Sequence, residues 1–128
     1  MRHQNNKLLE LSTWDKKTSI FVRQLLTSLI KNGKVTTTGK RAKILKSEAN
    51  SFFSRLLRIY KQKEVKDAKR EAIRFVKSVI YGEAEGKSVI EKWLPRYQAE
   101  GAPKSFVADY KMGFRVGDAA DKILLKLL

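Results

Sequence analysis

Cysteine is missing from all 128 residues, histidine occurs once and proline twice. Without thiols the chain has no disulfide, no thiolate metal site and no Cys nucleophile, which fits a reducing compartment. His3 is the sole histidine. An acid–base or nucleophilic triad therefore lacks a partner for it, and no enzyme is expected. Asp109 and Asp118 are the remaining carboxylate pair to weigh. Asp118 follows Gly117 in a turn, however, where aspartate serves backbone hydrogen bonding. No cofactor, metal or small-molecule substrate is expected. Long apolar runs are also absent: none approaches the roughly 20 residues that a membrane span needs. The opening MRHQNNKLLEL has no apolar stretch of the kind a secretory leader carries. Acidic residues are scarce in one half only. Residues 1–61 hold 14 Lys and Arg against 3 Asp and Glu, whereas residues 62–128 hold 14 against 10.

Basic charge is thus what the chain has in excess, at +15 formally. Self-repulsion of this size opposes compaction, so a polyanionic partner is the natural counterweight. The stretch NGKVTTTGKRAK (Asn32 to Lys43) concentrates that charge around two glycines. It is not a nucleotide-binding P-loop. Gly33 and Gly39 are separated by five residues rather than four, and Arg41 stands where a hydroxyl must reach the metal. What precedes Gly33 is helical, where the motif requires a strand.

Periodicity gives the elements. Phe21, Leu25 and Leu29, joined by Val22, Leu26 and Ile30, form the apolar face of a helix from Asp15 to Lys31, closed at Asn32-Gly33. Lys34 to Thr37 is β-branched and reads as a short strand. Thr38 is expected to cap a second helix through its hydroxyl. Leu45, Ala49, Phe52, Phe53, Leu56, Leu57 and Tyr60 line that helix at heptad-like spacing. Lys40, Arg41, Lys43 and Lys46 crowd its start, where the macrodipole disfavours cations by up to about 1 kcal/mol each, so an external anion is implied. A third helix is predicted from Glu64 to Tyr81, with Val65, Ala68, Ala72, Val76 and Val79/Ile80 inward and a mixed-charge outer face. A fourth, from about Glu85 to Leu94, is expected to stop before Pro95, and a linker from Gln98 to Lys104 follows.

The period then switches to two. In SFVADYKMGFR, the residues Phe106, Ala108, Tyr110, Met112 and Phe114 are expected to face the core, with Val107, Asp109, Lys111 and Arg115 outward. Gly117-Asp118 makes a turn. Ile123, Leu125 and Leu127 close the hairpin, although Ile123, Leu124, Leu127 and Leu128 also suit a helix. The architecture expected is α+β: about four helices packed on a small sheet made of one short strand and a C-terminal β-hairpin. The aromatics at 52, 53, 60, 106, 110 and 114 are assigned to core. Trp93 and Tyr97 sit near element ends, and Trp14, close to Lys16 and Lys17, is the best stacking candidate. No zinc finger, helix-turn-helix or paired-ring motif is present, so the basic surface points to backbone and shape recognition of a folded nucleic acid.

Four stretches, in order, resemble the bacterial large-subunit ribosomal protein L17 family. These are the opening Met1-Arg2-His3, the run TSLIKNGKVTTTGKRAKILK (Thr27 to Lys46), LPRYQ at Leu94 to Gln98, and the closing RVGDAADKILLKLL. The resemblance implies residues 1–128 as one RNA-binding ribosomal protein domain, with 1–13 an extended N-terminal segment. Its implied partners are large-subunit ribosomal RNA and neighbouring large-subunit proteins, and its implied place is the large ribosomal subunit. It also implies that the last strands pair with Lys34 to Thr37. The chain departs from the family where QNNKLLELS replaces an arginine-rich extension and where GAPKSF replaces a Gly-Gly-Tyr-Thr-Arg type approach to the hairpin.

The RNA face is expected on the first helix and the start of the second, through Lys16, Lys17, Arg23, Lys34, Lys40, Arg41, Lys43 and Lys46. Lys111 and Arg115 extend it from the hairpin. The family alignment adds Arg2, His3 and the threonine pair Thr37 and Thr38, and Lys7 is the lone cation of the divergent stretch that follows the opening. The rival reading is a basic DNA-architectural protein, which would also grip a phosphate backbone. A membrane-surface helix fits poorly, because each apolar stripe is needed for the core.

Overall fold

The computed structural model describes residues 15–100 and 105–128, with side chains from residue 20 onward. Four helical units pack on a three-stranded antiparallel sheet of order β1-β3-β2, the α+β arrangement expected. Helix α1 (Asp15–Asn32) buries Leu26, Leu29 and Ile30. It ends at Gly33, whose φ of 75° lets its amide turn back onto the Leu29 carbonyl at 2.8 Å. That left-handed step suits glycine and satisfies a carbonyl the helix end leaves open.

Strand β1 (Lys34–Thr37) pairs antiparallel with β3 (Asp121–Leu127), setting Val35 opposite Leu125 and Thr37 opposite Ile123. The last residues therefore form a strand, which closes the helix alternative. Helix α2 (Gly39–Gln62) is the spine of the molecule. Leu45, Ala49, Phe52, Phe53 and Leu56 on it are almost fully buried, along the stripe the spacing predicts. Phe53 sits in an aromatic cluster, edge-to-face with Tyr97 at a ring-centroid distance of 4.9 Å and tilted against Phe106 at 5.6 Å. Such pairs add about 1 kcal/mol each beyond the area they bury.

Helix α3 (Val65–Val79) lays Ala68, Ala72 and Val76 against α2, small residues that let the two axes approach. Val65, expected inward, is 81% exposed. It is the first residue of the helix, and it lies short of the ridge that meets α2.

The fourth unit is longer than expected. Helix α4 (Glu83–Ser88) runs through a π-helical turn (Val89–Trp93) into α5 (Leu94–Ala99), so the chain stays helical across Pro95 and consumes the start of the predicted linker. Proline normally ends a helix because it lacks an amide and crowds the preceding turn. Here the wider turn restarts the helix, and Pro95 falls in the first positions of α5, where a missing amide costs little. The result aims Val89, Trp93, Leu94 and Tyr97 inward together.

Strand β2 (Val107–Phe114) pairs with β3, Val107 opposite Leu127 and Asp109 opposite Leu125. Its faces are the reverse of those expected. Residues directly opposite share a face, so Val107, Asp109 and Lys111 lie with Leu127, Leu125 and Ile123 on the helix side. Phe106 is buried, but it precedes the strand, its amide held by the Asn50 side chain at 2.9 Å. Tyr110, Met112 and Phe114 are 50–69% exposed rather than core. The hairpin outruns the helices after Asp109. A register shift between Lys111 and Phe114, with Gly113 at φ 95°, then bends the tip away.

Candidate nucleic-acid interface

Among the described residues, no side chain caps the start of α2. Thr38 stands at the N-cap with extended backbone angles, yet its hydroxyl makes no cap bond, contrary to expectation. Only its carbonyl engages, accepting the Ala42 amide at 2.9 Å. The first turn of α2 holds no acidic residue. Asp121, on the neighbouring strand, brings a carboxylate to 3.9 Å from where a Gly39 side chain would begin. Lys40, Arg41 and Lys43, all exposed, outnumber it. A helix start with unpaired amides and surrounding cations is a ready anion site.

The expected cations divide sharply by what they already hold. Lys34, Lys40 and Lys43 are exposed, and none forms an ion pair among the described residues. The Arg41 guanidinium lies 4.8 Å from the Phe21 ring centroid, a cation–π contact that orients it while leaving its edges free. Arg23 is more committed. Its Nε donates to the Val79 carbonyl at 2.9 Å and its guanidinium sits 4.2 Å over Tyr81, fastening α1 to the end of α3. Lys46 donates to Asp109 at 2.8 Å and so ties α2 to β2. That bond is the main reason the Asp109 carboxyl is held below its ordinary range.

Arg115 makes a two-pronged pair with Asp118, Nε to Oδ1 at 2.9 Å. Asp118 Oδ1 also accepts the Ala120 amide at 3.2 Å. The guanidinium, with that amide, keeps the Asp118 carboxyl far below the usual carboxylate range. This lock belongs to the hairpin turn. Lys111 is exposed near the tip. Thr37 and Thr38 are partly buried, Thr37 on the helix side opposite Ile123. Arg2, His3 and Lys7 lie outside the described residues, as does Trp14. Lys16 and Lys17 belong to α1, and their side chains are likewise outside what is described.

Sequence reasoning missed the rest of the α2 surface. Lys40, Lys43, Ser47, Ser51, Ser54, Arg58 and Lys61 are all exposed and recur every three or four residues. They form one ridge roughly 30 Å long, cationic at both ends and small in the middle. Arg55 lies beside it with its guanidinium 4.5 Å over Phe75. The spacing was available as a signal, but the apolar stripe of the same helix drew the reading to the other face. By contrast α3 mixes signs, and Lys63 pairs with Glu71 at its start. Among the described residues, no three carboxylate or imidazole groups converge to hold a metal ion, and no helix is long and apolar enough to cross a membrane.

Fold and surface define a class: a small basic α+β domain with exposed cations in excess of their carboxylate partners. Within that class the match is specific. The family model for ribosomal protein L17 covers residues 21–128, and the chain belongs to that family. It is 31% identical over 107 residues to the large ribosomal subunit protein bL17 of Clostridium botulinum (strain Eklund 17B), a match covering 84% of this chain and 85% of that protein. The bL17 proteins of Clostridium acetobutylicum and Desulforudis audaxviator are also 31% identical, over 84% of this chain and 84% and 86% of theirs. The family match begins after the Met1-Arg2-His3 opening.

Proposed function

We propose that this chain is a structural constituent of the large ribosomal subunit, a cytoplasmic, non-enzymatic protein that binds ribosomal RNA and touches neighbouring ribosomal proteins. Membership of the L17 family supports the ribosomal role. The observation that carries the RNA contact is the start of α2. A 24-residue helix begins there without a side-chain cap or an acidic first turn, beside Lys40, Arg41 and Lys43. Phosphate oxygens accept from such amides and cations in a way that is independent of base identity, which suits a protein that reads shape. By sequence position, Lys16 and Lys17 continue this corner along α1.

Two measurements test the reading. In gradient fractionation of a native lysate, the chain is expected to travel with the large subunit and to remain after a high-salt wash. Sedimentation at the top of the gradient, or with the nucleoid, would sink the ribosomal role. With purified protein, Arg41→Gln/Lys43→Gln is expected to lower affinity for a structured ribosomal RNA fragment and to reduce the log–log salt slope by about two units. An unchanged slope would move the phosphate contacts elsewhere.

A further inference from the structure

The outward face of the sheet is a second cationic surface, of different construction from the α2 start. Inward, Ile123, Leu125, Leu127 and Val107 meet the helices, Ile123 Cδ1 lying 3.8 Å from where a Gly39 Cβ would stand. By alternation the other face carries Lys34 and Thr36 from β1, Lys122, Leu124 and Lys126 from β3, and Ala108 and Tyr110 from β2. Among the described residues, these strands place no carboxylate on it. The sheet's acidic residues, Asp109 and Asp121, share the helix side, Asp109 with its partner Lys46.

Two features of this face are unfavourable in the free protein. Lys34 is directly opposite Lys126, and neither forms an ion pair among the described residues. Like charges so placed repel across adjacent strands. In the next row, Thr36, Leu124 and Tyr110 stand abreast, and Tyr110 is half exposed. An aromatic ring diagonal to a lysine pair, with no acid nearby, matches one ligand chemistry well: a flat π-face joined to a phosphate.

We propose that the outer face of the three-stranded sheet holds an unpaired RNA nucleotide, its base stacked on Tyr110 and its flanking phosphates on Lys126 and Lys34. This rests on the reading of the chain as a ribosomal RNA-binding protein, and it adds a single-stranded site to the backbone contacts at α2. An unpaired base is required because bases within a duplex have no free face to offer a side chain. The absence of acidic groups and the lysine pair favour RNA over a protein partner, which would have to bury those charges.

The test uses the full chain and an oligouridylate of about twelve nucleotides, with duplex RNA of equal length as the reference. Tyr110→Ala is expected to weaken oligouridylate binding about tenfold and to leave duplex binding unchanged, while Tyr110→Phe stays within about twofold of the parent. Lys34→Gln/Lys126→Gln is expected to lower the single-strand salt slope by about 1.4 and to raise, not lower, the melting temperature. A merely structural role would not weaken binding while stabilising the fold. If the parent binds duplex RNA but not oligouridylate, or if all variants bind oligouridylate alike, the sheet site is wrong and the proposed function stands. Photo-crosslinks from Tyr110 to a protein within the large subunit would likewise overturn it, in favour of a protein contact. If the parent binds no RNA and stays off the ribosome, the underlying reading itself falls.

Discussion

The same three strands present two unlike surfaces. On the helix side, Val107, Leu125 and Leu127 are buried, and Asp109 forms a matched pair with Lys46. On the outer side, the corresponding positions carry Lys34, Lys126 and Lys122 with Leu124 and Tyr110 among them. Charge is balanced where the protein meets itself and unbalanced where it meets solvent. The comparison teaches where to look for a partner. A fold that neutralises its inner charge, yet sets lysine opposite lysine outside, leaves the compensation to something it does not contain.

The largest expected effect tests the inner half of that contrast. Leu125→Ala removes a fully buried side chain from the centre of the sheet and is expected to cost about 3 kcal/mol in denaturant unfolding. Leu124→Ala, one residue away on the outer face, is expected to cost less than about 1 kcal/mol. Comparable losses for the two would erase the distinction between the faces.

Beneath the inner face, Tyr97 provides a test by pH. It is fully buried, its hydroxyl 3.5 Å from the Phe106 carbonyl, and burial, opposed by Arg96 and reinforced by Glu100, leaves its pKa pushed up to about 12. The folded state therefore holds this proton more tightly than the unfolded chain, whose tyrosines titrate near 10. The contribution is fully present below pH 10 and is lost as pH rises toward 12 and beyond, on the order of 2 kcal/mol. Equilibrium unfolding across that range is expected to show the loss, and Tyr97→Phe to abolish it. A Tyr97→Phe variant with the same alkaline slope would assign the loss to other groups.

Much of this was legible in the sequence, and the failures share a cause. The α2 stripe from Leu45 to Tyr60 was readable because a helix declares its buried face through local spacing. The stop at Gly33, the strand at Lys34 and the turn at Gly117 were readable because each depends on its own residues. The faces of β2 were not. Alternation in SFVADYKMGFR fits either assignment, and the choice was made by Lys46, 63 positions away, which gives Asp109 an inward partner. Helix continuation through Pro95 was hidden because a π-helical turn leaves no compositional mark. The cationic cluster at Lys40 to Lys46 was plain, but the internal partners of Arg23, Lys46 and Arg115 were not, since each is set by packing or turn geometry.

The smallest expected effect concerns the same Asp109–Lys46 pair, the ion pair that ties the inner face of β2 to α2. Both side chains are substantially exposed, at 53% and 36%, so solvent screens the attraction. Asp109→Asn is expected to lower stability by only about 0.5 kcal/mol at neutral pH. Its pH signature is more telling than its size. The Lys46 hydrogen bond holds the folded-state Asp109 pKa below its unfolded value. The stabilisation is therefore complete above the ordinary carboxylate pKa, near 4, and disappears as pH falls through the depressed folded value. Asp109→Asn should flatten that acidic decline, and added salt should shrink the difference between parent and variant. Register is what the pair protects. Without it, β2 has Val107 alone to distinguish its inner from its outer side, and a one-residue slip would turn Tyr110 toward the helices. Amide exchange along β2 is therefore expected to quicken in the variant while β3, paired on both edges, is unaffected. Equal protection of β2 in parent and variant would leave Val107 as the sole determinant of the faces.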